Sequence, residues 1–129
     1  MEEKKINILV VEDELPLLEA IRTKLSHSGF EVVTARTAEQ AYGYLEDVNV
    51  SVVWLDHYLL GKESGLDIVS FIKNNDKYKK LPIFVVSNTA SSDKVQSYIN
   101  FGINKYYIKA NYRLDKIIDD IKSYLKKPE

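Results

Sequence analysis

Cysteine is absent from this chain, which removes disulfides, thiolate metal sites and cysteine nucleophiles together. Long apolar runs are missing too: the longest break off after about seven residues, where a membrane-spanning helix needs roughly 20. Met1-Glu2-Glu3-Lys4-Lys5 holds no apolar stretch of signal-peptide length, so a cytoplasmic location without membrane contact is expected. Nor does one sign of charge dominate. Lys and Arg total 18 against 19 Asp and Glu, a formal net charge of −1, so the electrostatic footprint of a nucleic-acid binder is lacking and no direct nucleic-acid contact is expected. Internal repeats, low-complexity tracts and linkers are also missing. With 45% apolar and 29% charged residues in 129, the chain has the balance of one soluble domain. That domain is expected over 1–129, with a core from about 5 to 126 and no output domain.

What is present is a regular alternation. Ile6-Asn7-Ile8-Leu9-Val10-Val11 is the nearly continuous β-branched run of a strand buried on both faces of a parallel sheet, and it stops at Glu12-Asp13-Glu14. Leu17, Leu18, Ile21 and Leu25 then recur at helical spacing up to Ser28-Gly29, where Gly29 can supply a left-handed cap. Val32-Val33-Thr34-Ala35 predicts a second strand. A helix over about 38–46 follows, with Thr37 as N-cap and Gln40 in the capping-box position. The third strand is Val50-Ser51-Val52-Val53-Trp54-Leu55, ending at Asp56. After a loop containing Gly61 and Gly65, Leu66, Ile68, Val69, Phe71 and Ile72 make an apolar helical face. Pro82 opens the fourth strand, Ile83-Phe84-Val85-Val86, which ends at Ser87. A helix over about 92–101 stops at Gly102, and Tyr106-Tyr107-Ile108 is the fifth strand, ending at Lys109. A last helix over about 113–126 sets Leu114, Ile117, Ile118, Ile121, Tyr124 and Leu125 on one side.

Five strands alternating with five helices predict an α/β fold. The expected form is a (βα)5 three-layer sandwich with a flavodoxin-like, parallel five-stranded sheet of order 2-1-3-4-5. In such a fold the ligand site lies beyond the carboxyl ends of the strands, where the strand order reverses. Glu12 and Asp13 follow the first strand, Asp56 the third, Ser87 the fourth and Lys109 the fifth, so topology gathers three carboxylates, a hydroxyl and an ammonium in one crevice. Singly, each is what a solvated loop or a helix N-terminus carries. Together, three acids hold their charge only around a cation, and an all-oxygen donor set without His or Cys selects Mg²⁺. A carboxylate nucleophile beside Mg²⁺ and a lysine can form an acyl phosphate.

These residues resemble the receiver domain of bacterial response regulators over about 5–126. The resemblance is carried by Ile8-Leu9-Val10-Val11-Glu12-Asp13-Glu14, Val53-Trp54-Leu55-Asp56, Pro82-Ile83-Phe84-Val85-Val86-Ser87 and Tyr106-Tyr107-Ile108-Lys109. It implies that Asp56 is the phosphoacceptor, that Asp13 binds Mg²⁺ directly with Glu12 acting largely through water, and that the Tyr58 backbone carbonyl is a further ligand. It implies Ser87 as the switch hydroxyl, Lys109 as the phosphate-binding ammonium and Tyr106 as the aromatic that turns inward with Ser87. The implied donor is the phosphohistidine of a sensor kinase or a histidine phosphotransfer protein, with small donors serving too. The implied output is a downstream protein or a receiver dimer, docked on the fourth helix, fifth strand and fifth helix near Tyr98, Ile99, Tyr107, Tyr112 and Tyr124; nine tyrosines supply aromatic contact area. No turnover of an external substrate is expected.

Departures from the family pattern are local. Ala110 stands where the family usually has a proline in a cis bond. A cis bond before alanine costs about 2.5–4 kcal/mol, so a trans bond and a different loop are expected. Leu60 replaces a common proline, and Gly61-Lys62-Glu63-Ser64-Gly65 is one residue longer than usual. Asn88 follows Ser87 in place of a small residue, with bulk expected to hinder the inward movement of Tyr106. His57 is expected on the opposite side of the strand from Asp56, and His27 is a solvated or dipole-compensating residue at a helix end.

Other readings fit less well. A degenerate receiver used only for interaction is favoured by Ala110 and Asn88 but opposed by intact Glu12, Asp13, Asp56, Ser87 and Lys109. A haloacid-dehalogenase-like phosphatase needs an aspartate where Tyr58 stands. A flavodoxin-like FMN binder needs a phosphate-cradling loop where Glu12-Asp13-Glu14 would repel phosphate. The family positions that tune dephosphorylation hold Tyr58 and Thr89 here, and neither side chain carries a carboxylate or amide to orient water. The expected outcome is a long-lived phosphoryl group, checked by following the adduct by mass spectrometry; a half-life of seconds would contradict it.

Overall fold

Five β-branched runs pair in parallel as one sheet of order β2-β1-β3-β4-β5, the order expected from the alternation. The strands are β1 (Ile6–Val11), β2 (Phe30–Ala35), β3 (Val52–Leu55), β4 (Ile83–Ser87) and β5 (Lys105–Ile108). The helices between and after them are α1 (Leu15–His27), α2 (Ala38–Asp47), α3 (Gly65–Lys73), α4 (Ser92–Phe101) and α5 (Leu114–Lys126). The computed structural model describes residues 5–88 and 91–126. No described helix is long and apolar enough to cross a membrane.

Both sheet faces are covered, which is why the strands read as continuous apolar runs and not as alternating ones. Leu9, Val11, Val53, Leu55, Ile83 and Val85 face a layer built from α2, α3 and α4, through Ala41, Leu45, Ile68, Ile72 and Tyr98. Their strand neighbours Ile8, Val10, Trp54, Phe84 and Val86 face α1 and α5, through Leu18, Ile21, Leu25, Ile117 and Ile121. Each such side chain contributes about 1.5–3 kcal/mol on burial, so the two faces together hold the layers.

Register positions the functional edge. Val11 pairs with both Ala35 and Leu55, Leu55 pairs with Val85, and Ser87 pairs with Ile108. The carboxyl ends are therefore nearly flush, and the residue that follows each strand emerges on the same side.

Several local expectations are corrected. The third strand begins at Val52, two residues later than the apolar run, because Ser51 and Val50 precede the pairing with β1. Thr37 caps α2 as expected, its Oγ1 accepting the Gln40 N–H at 3.1 Å, but Gln40 Oε1 accepts the Arg36 N–H at 2.8 Å instead of the cap residue's own. The bond ties the end of β2 to α2. Residues Lys109–Asn111 wind into a short 3-10 turn not foreseen in the sequence. No cis peptide bond occurs among the described residues, so Lys109 and Ala110 are joined in trans.

Two of the tyrosines expected on the docking face are interior. Tyr98 and Tyr107 are fully buried, whereas Ile99, Tyr112 and Tyr124 are exposed. The helix and strand phases turn these two inward, and each hydroxyl has a partner, His57 for Tyr98 and Asp120 for Tyr107. Conversely, Phe71 is partly exposed and stacks between Tyr42 and Tyr78.

Gly65 opens α3 where the loop after β3 passes closest. A Cβ there would overlap the Asp56 carbonyl oxygen and lie 2.8 Å from the Tyr98 hydroxyl and 3.0 Å from the His57 Cα. Since backbone must yield, Gly65→Ala is expected to destabilise the fold by about 1–3 kcal/mol, read as a lower urea midpoint at unchanged slope.

Candidate functional site

The flush edge assembles a buried ionic cluster. Glu12 follows β1 with its N–H bound to the Ala35 carbonyl at 3.0 Å, and Asp56 follows β3 with its N–H bound to the Val11 carbonyl at 2.9 Å. Extending the sheet's ladder by one residue fixes both carboxylates beside the gap between β1 and β3, where the strand order reverses. The Lys109 ammonium reaches across from β5 and donates to Glu12 Oε1 at 2.7 Å and to Asp56 Oδ2 at 3.1 Å. The remaining oxygens accept backbone N–H groups, Glu14 to Glu12 Oε2 at 3.1 Å and His57 to Asp56 Oδ1 at 2.7 Å. Glu12 and Asp56 are 1% and 3% exposed, so neither relies on bulk water.

Burial raises the Glu12 pKa; the Lys109 hydrogen bond opposes that and the Asp56 charge adds to it. For Lys109, burial pushes downward, but the Glu12 hydrogen bond and the Asp56 charge outweigh it and hold the ammonium above its ordinary value. The lysine therefore stays charged near neutrality. Carboxylate oxygens of Glu12, Asp13 and Asp56 lie within 4.8 Å of one another, a set of hard oxygen donors that fits a divalent cation.

Arg36 is a contributor that the sequence reading missed. Its guanidinium donates from Nε at 3.0 Å and from Nη2 at 2.7 Å to the Asp13 backbone carbonyl, clamping the acidic loop to the end of β2. The Arg36 carbonyl accepts the Leu60 N–H at 3.2 Å, so one residue joins the loops after β1, β2 and β3. Its position immediately after the second strand was the available signal.

The other expected residues fall around this cluster. Ser87 ends β4, fully buried. Burial raises the pKa of half-buried Tyr106, and the Ser87 side chain opposes the rise. Asn88 is exposed. Tyr58 is half exposed, with the Lys94 ammonium 5.2 Å from its ring centroid. Thr89 lies outside the described residues. His57 is buried and its ring joins Tyr98, on the α4 side of the sheet, as strand alternation expects.

A doubly covered parallel sheet with three acids and a lysine at its carboxyl edge suits an aspartyl phosphate and a divalent cation, which defines a class of signalling module. The response regulator receiver domain family matches residues 8–122, and the chain belongs to it. It is 25% identical over 105 residues to the chemotaxis protein CheY1 of Helicobacter pylori, covering 81% of this chain and 85% of that protein. It is 29% identical over 119 residues to the heme response regulator HssR of Staphylococcus saprophyticus, covering 92% of this chain and 51% of that one. Against the NtrX-like response regulator of Rickettsia conorii the chain spans only 24% of the relative's length. In fold it is similar to a CheY-like receiver domain protein of Methanospirillum hungatei, with a TM-score of 0.85 at 21% identity over 95% of this chain and 94% of that one.

Removing the shared cation should expose the tension in the cluster. Lys109→Met is expected to lower stability by about 3 kcal/mol at neutral pH, because two buried carboxylates lose their counter-charge. A raised pKa means that Glu12 takes up a proton as the pH falls, and a neutral Glu12 needs no ammonium, so the difference between variant and wild type should shrink toward acid. Urea melts across that pH range check both the size and the sign.

Proposed function

We propose that Asp56 is the phosphoacceptor of this receiver domain and that the chain signals by a phosphorylation-dependent docking event. The observation that carries this reading is the Lys109 ammonium bridging Glu12 and Asp56 in a buried crevice. Such a group neutralises charge that builds on a transferring phosphoryl group. An Asp56 carboxylate oxygen attacks phosphorus; the new P–O bond forms as the P–N bond to the donor histidine breaks, and the imidazole leaves with the electron pair and takes up a proton. Glu12, Asp13, Asp56 and the Tyr58 backbone carbonyl would hold Mg²⁺, which would offset the charge on the phosphoryl oxygens. The His57 N–H, already donating to Asp56 Oδ1, keeps the carboxylate oriented. Lys109 would turn from Glu12 toward the phosphoryl oxygens, and the Ser87 hydroxyl would donate to one of them, drawing Tyr106 with it.

The proposed donor is a sensor histidine kinase or a histidine phosphotransfer protein in the cytoplasm. The proposed output is a downstream protein or a second receiver. The groove between α4 and β5, lined by Val95, Ile99, Ile103, Tyr106, Ile108 and Tyr112, offers that partner an apolar surface next to the switch residues. Tyr58, with Lys94 over its ring, would shield the phosphoryl group from water; with Thr89 it remains the proposed determinant of lifetime. A second reading, a phosphorylation-independent interaction module, is favoured by Ala110 and Asn88, which stand where the family usually has a proline and a small residue.

Incubation with Mg²⁺ and acetyl phosphate, followed by intact-mass spectrometry, distinguishes the two. A single phosphoryl adduct is expected on wild type and none on Asp56→Ala or without Mg²⁺, with beryllofluoride binding following the same pattern. No adduct and no beryllofluoride binding on wild type would leave the interaction module.

A further inference from the structure

The phosphoacceptor loop is gripped from the side away from the carboxylates. Strand alternation sends Val53 and Leu55 toward α4 and Trp54 toward α1 and α5, so the side chains of Asp56 and His57 part on opposite sides of the sheet. The His57 ring, 8% exposed, meets fully buried Tyr98 on α4, with Nδ1 and the hydroxyl 2.6 Å apart in a hydrogen bond. Burial, helped by the nearby Lys94 charge, lowers the His57 pKa, and burial raises that of Tyr98. Both partners are thus neutral, and one hydrogen is shared between them. One helical turn before Tyr98, Lys94 sits over the ring of Tyr58. Consecutive residues of the loop are therefore held by one face of α4.

The approach is close because residue 65 is glycine: any Cβ there would lie 2.8 Å from the Tyr98 hydroxyl. The His57 backbone is equally constrained. Its N–H donates to Asp56 Oδ1 at 2.7 Å and its carbonyl accepts the Gly65 N–H at 2.9 Å. The Tyr98 ring also packs on Tyr106, with centroids 5.6 Å apart. A displacement of the Tyr98 hydroxyl would be felt at the His57 ring, then at the amide that orients the Asp56 carboxylate.

We propose that Tyr98 is a positioning residue for Asp56, acting through His57: its hydroxyl locks the His57 ring and so the backbone amide that holds Asp56 Oδ1, making the seat of α4 a determinant of acceptor reactivity. This rests on the reading of Asp56 as phosphoacceptor. It differs from the Ser87 and Tyr106 pair in running through the residue next to the acceptor, although the Tyr98 ring touches Tyr106.

The test compares wild type, Tyr98→Phe, His57→Phe and the double variant. The rate of Asp56 phosphorylation by acetyl phosphate at saturating Mg²⁺ is followed by intact mass, well below every melting temperature. Tyr98→Phe is expected to slow the reaction about fivefold, the lower end of ordinary coupling between sites. His57→Phe should slow it equally and the double variant no further, because residues acting as one unit do not add. A purely structural role would lower the melting temperature and leave the rate of the folded protein unchanged. A wild-type rate in Tyr98→Phe, or single effects that multiply in the double variant, would overturn the proposal. If Tyr98→Phe does not fold, the His57→Phe rate decides alone, and a wild-type value there overturns it equally. No adduct on wild type sinks the phosphoacceptor reading itself, whereas normal wild-type phosphorylation with unaffected variants sinks only this inference.

Discussion

An ammonium shared by two buried carboxylates is the constraint on which the rest of the site depends. Glu12 and Asp56 stand side by side because β1 and β3 are neighbours in register, and their repulsion in a low-dielectric crevice is offset by Lys109. The lysine can do this only because β5, the last strand of the sheet, delivers residue 109 to the same edge. A hydrophobic trio would pack there at less desolvation cost. The three acids and the lysine fit the chemistry that the receiver family implies.

Around that cluster the loops are cross-tied, not left to solvent. Arg36 fastens the acidic loop to the end of β2 and reaches the loop after β3 through its carbonyl. The loop after β3 is anchored a second time by the His57 and Tyr98 pair and by Lys94 over Tyr58. Both anchors are geometric: they hold backbone amides and carbonyls of these loops in fixed directions.

The outer surface of α4 and β5 shows the other half of the design. Ile99 and Tyr112 are exposed beside the half-buried Tyr106, while Tyr98, one residue before Ile99, points into the core. The same helix therefore carries the groove on one side and the grip on the loop after β3 on the other.

Much of this was legible before any coordinates. Strand runs, helical stripes and the polar residue closing each strand are local signals, and because parallel crossovers are right-handed and ligands gather at the carboxyl edge, they determined the sheet order and the meeting of Glu12, Asp13, Asp56 and Lys109. The tertiary structure alone decided which tyrosines turn inward, that Arg36 reaches Asp13, that residues 109–111 form a 3-10 turn, and that His57 finds Tyr98, 41 residues away. Those outcomes hang on how far each helix is rotated about its axis and how closely it approaches the sheet. Such quantities are set by packing among residues distant in the chain, at Gly65 above all, and no periodicity within a single segment encodes them.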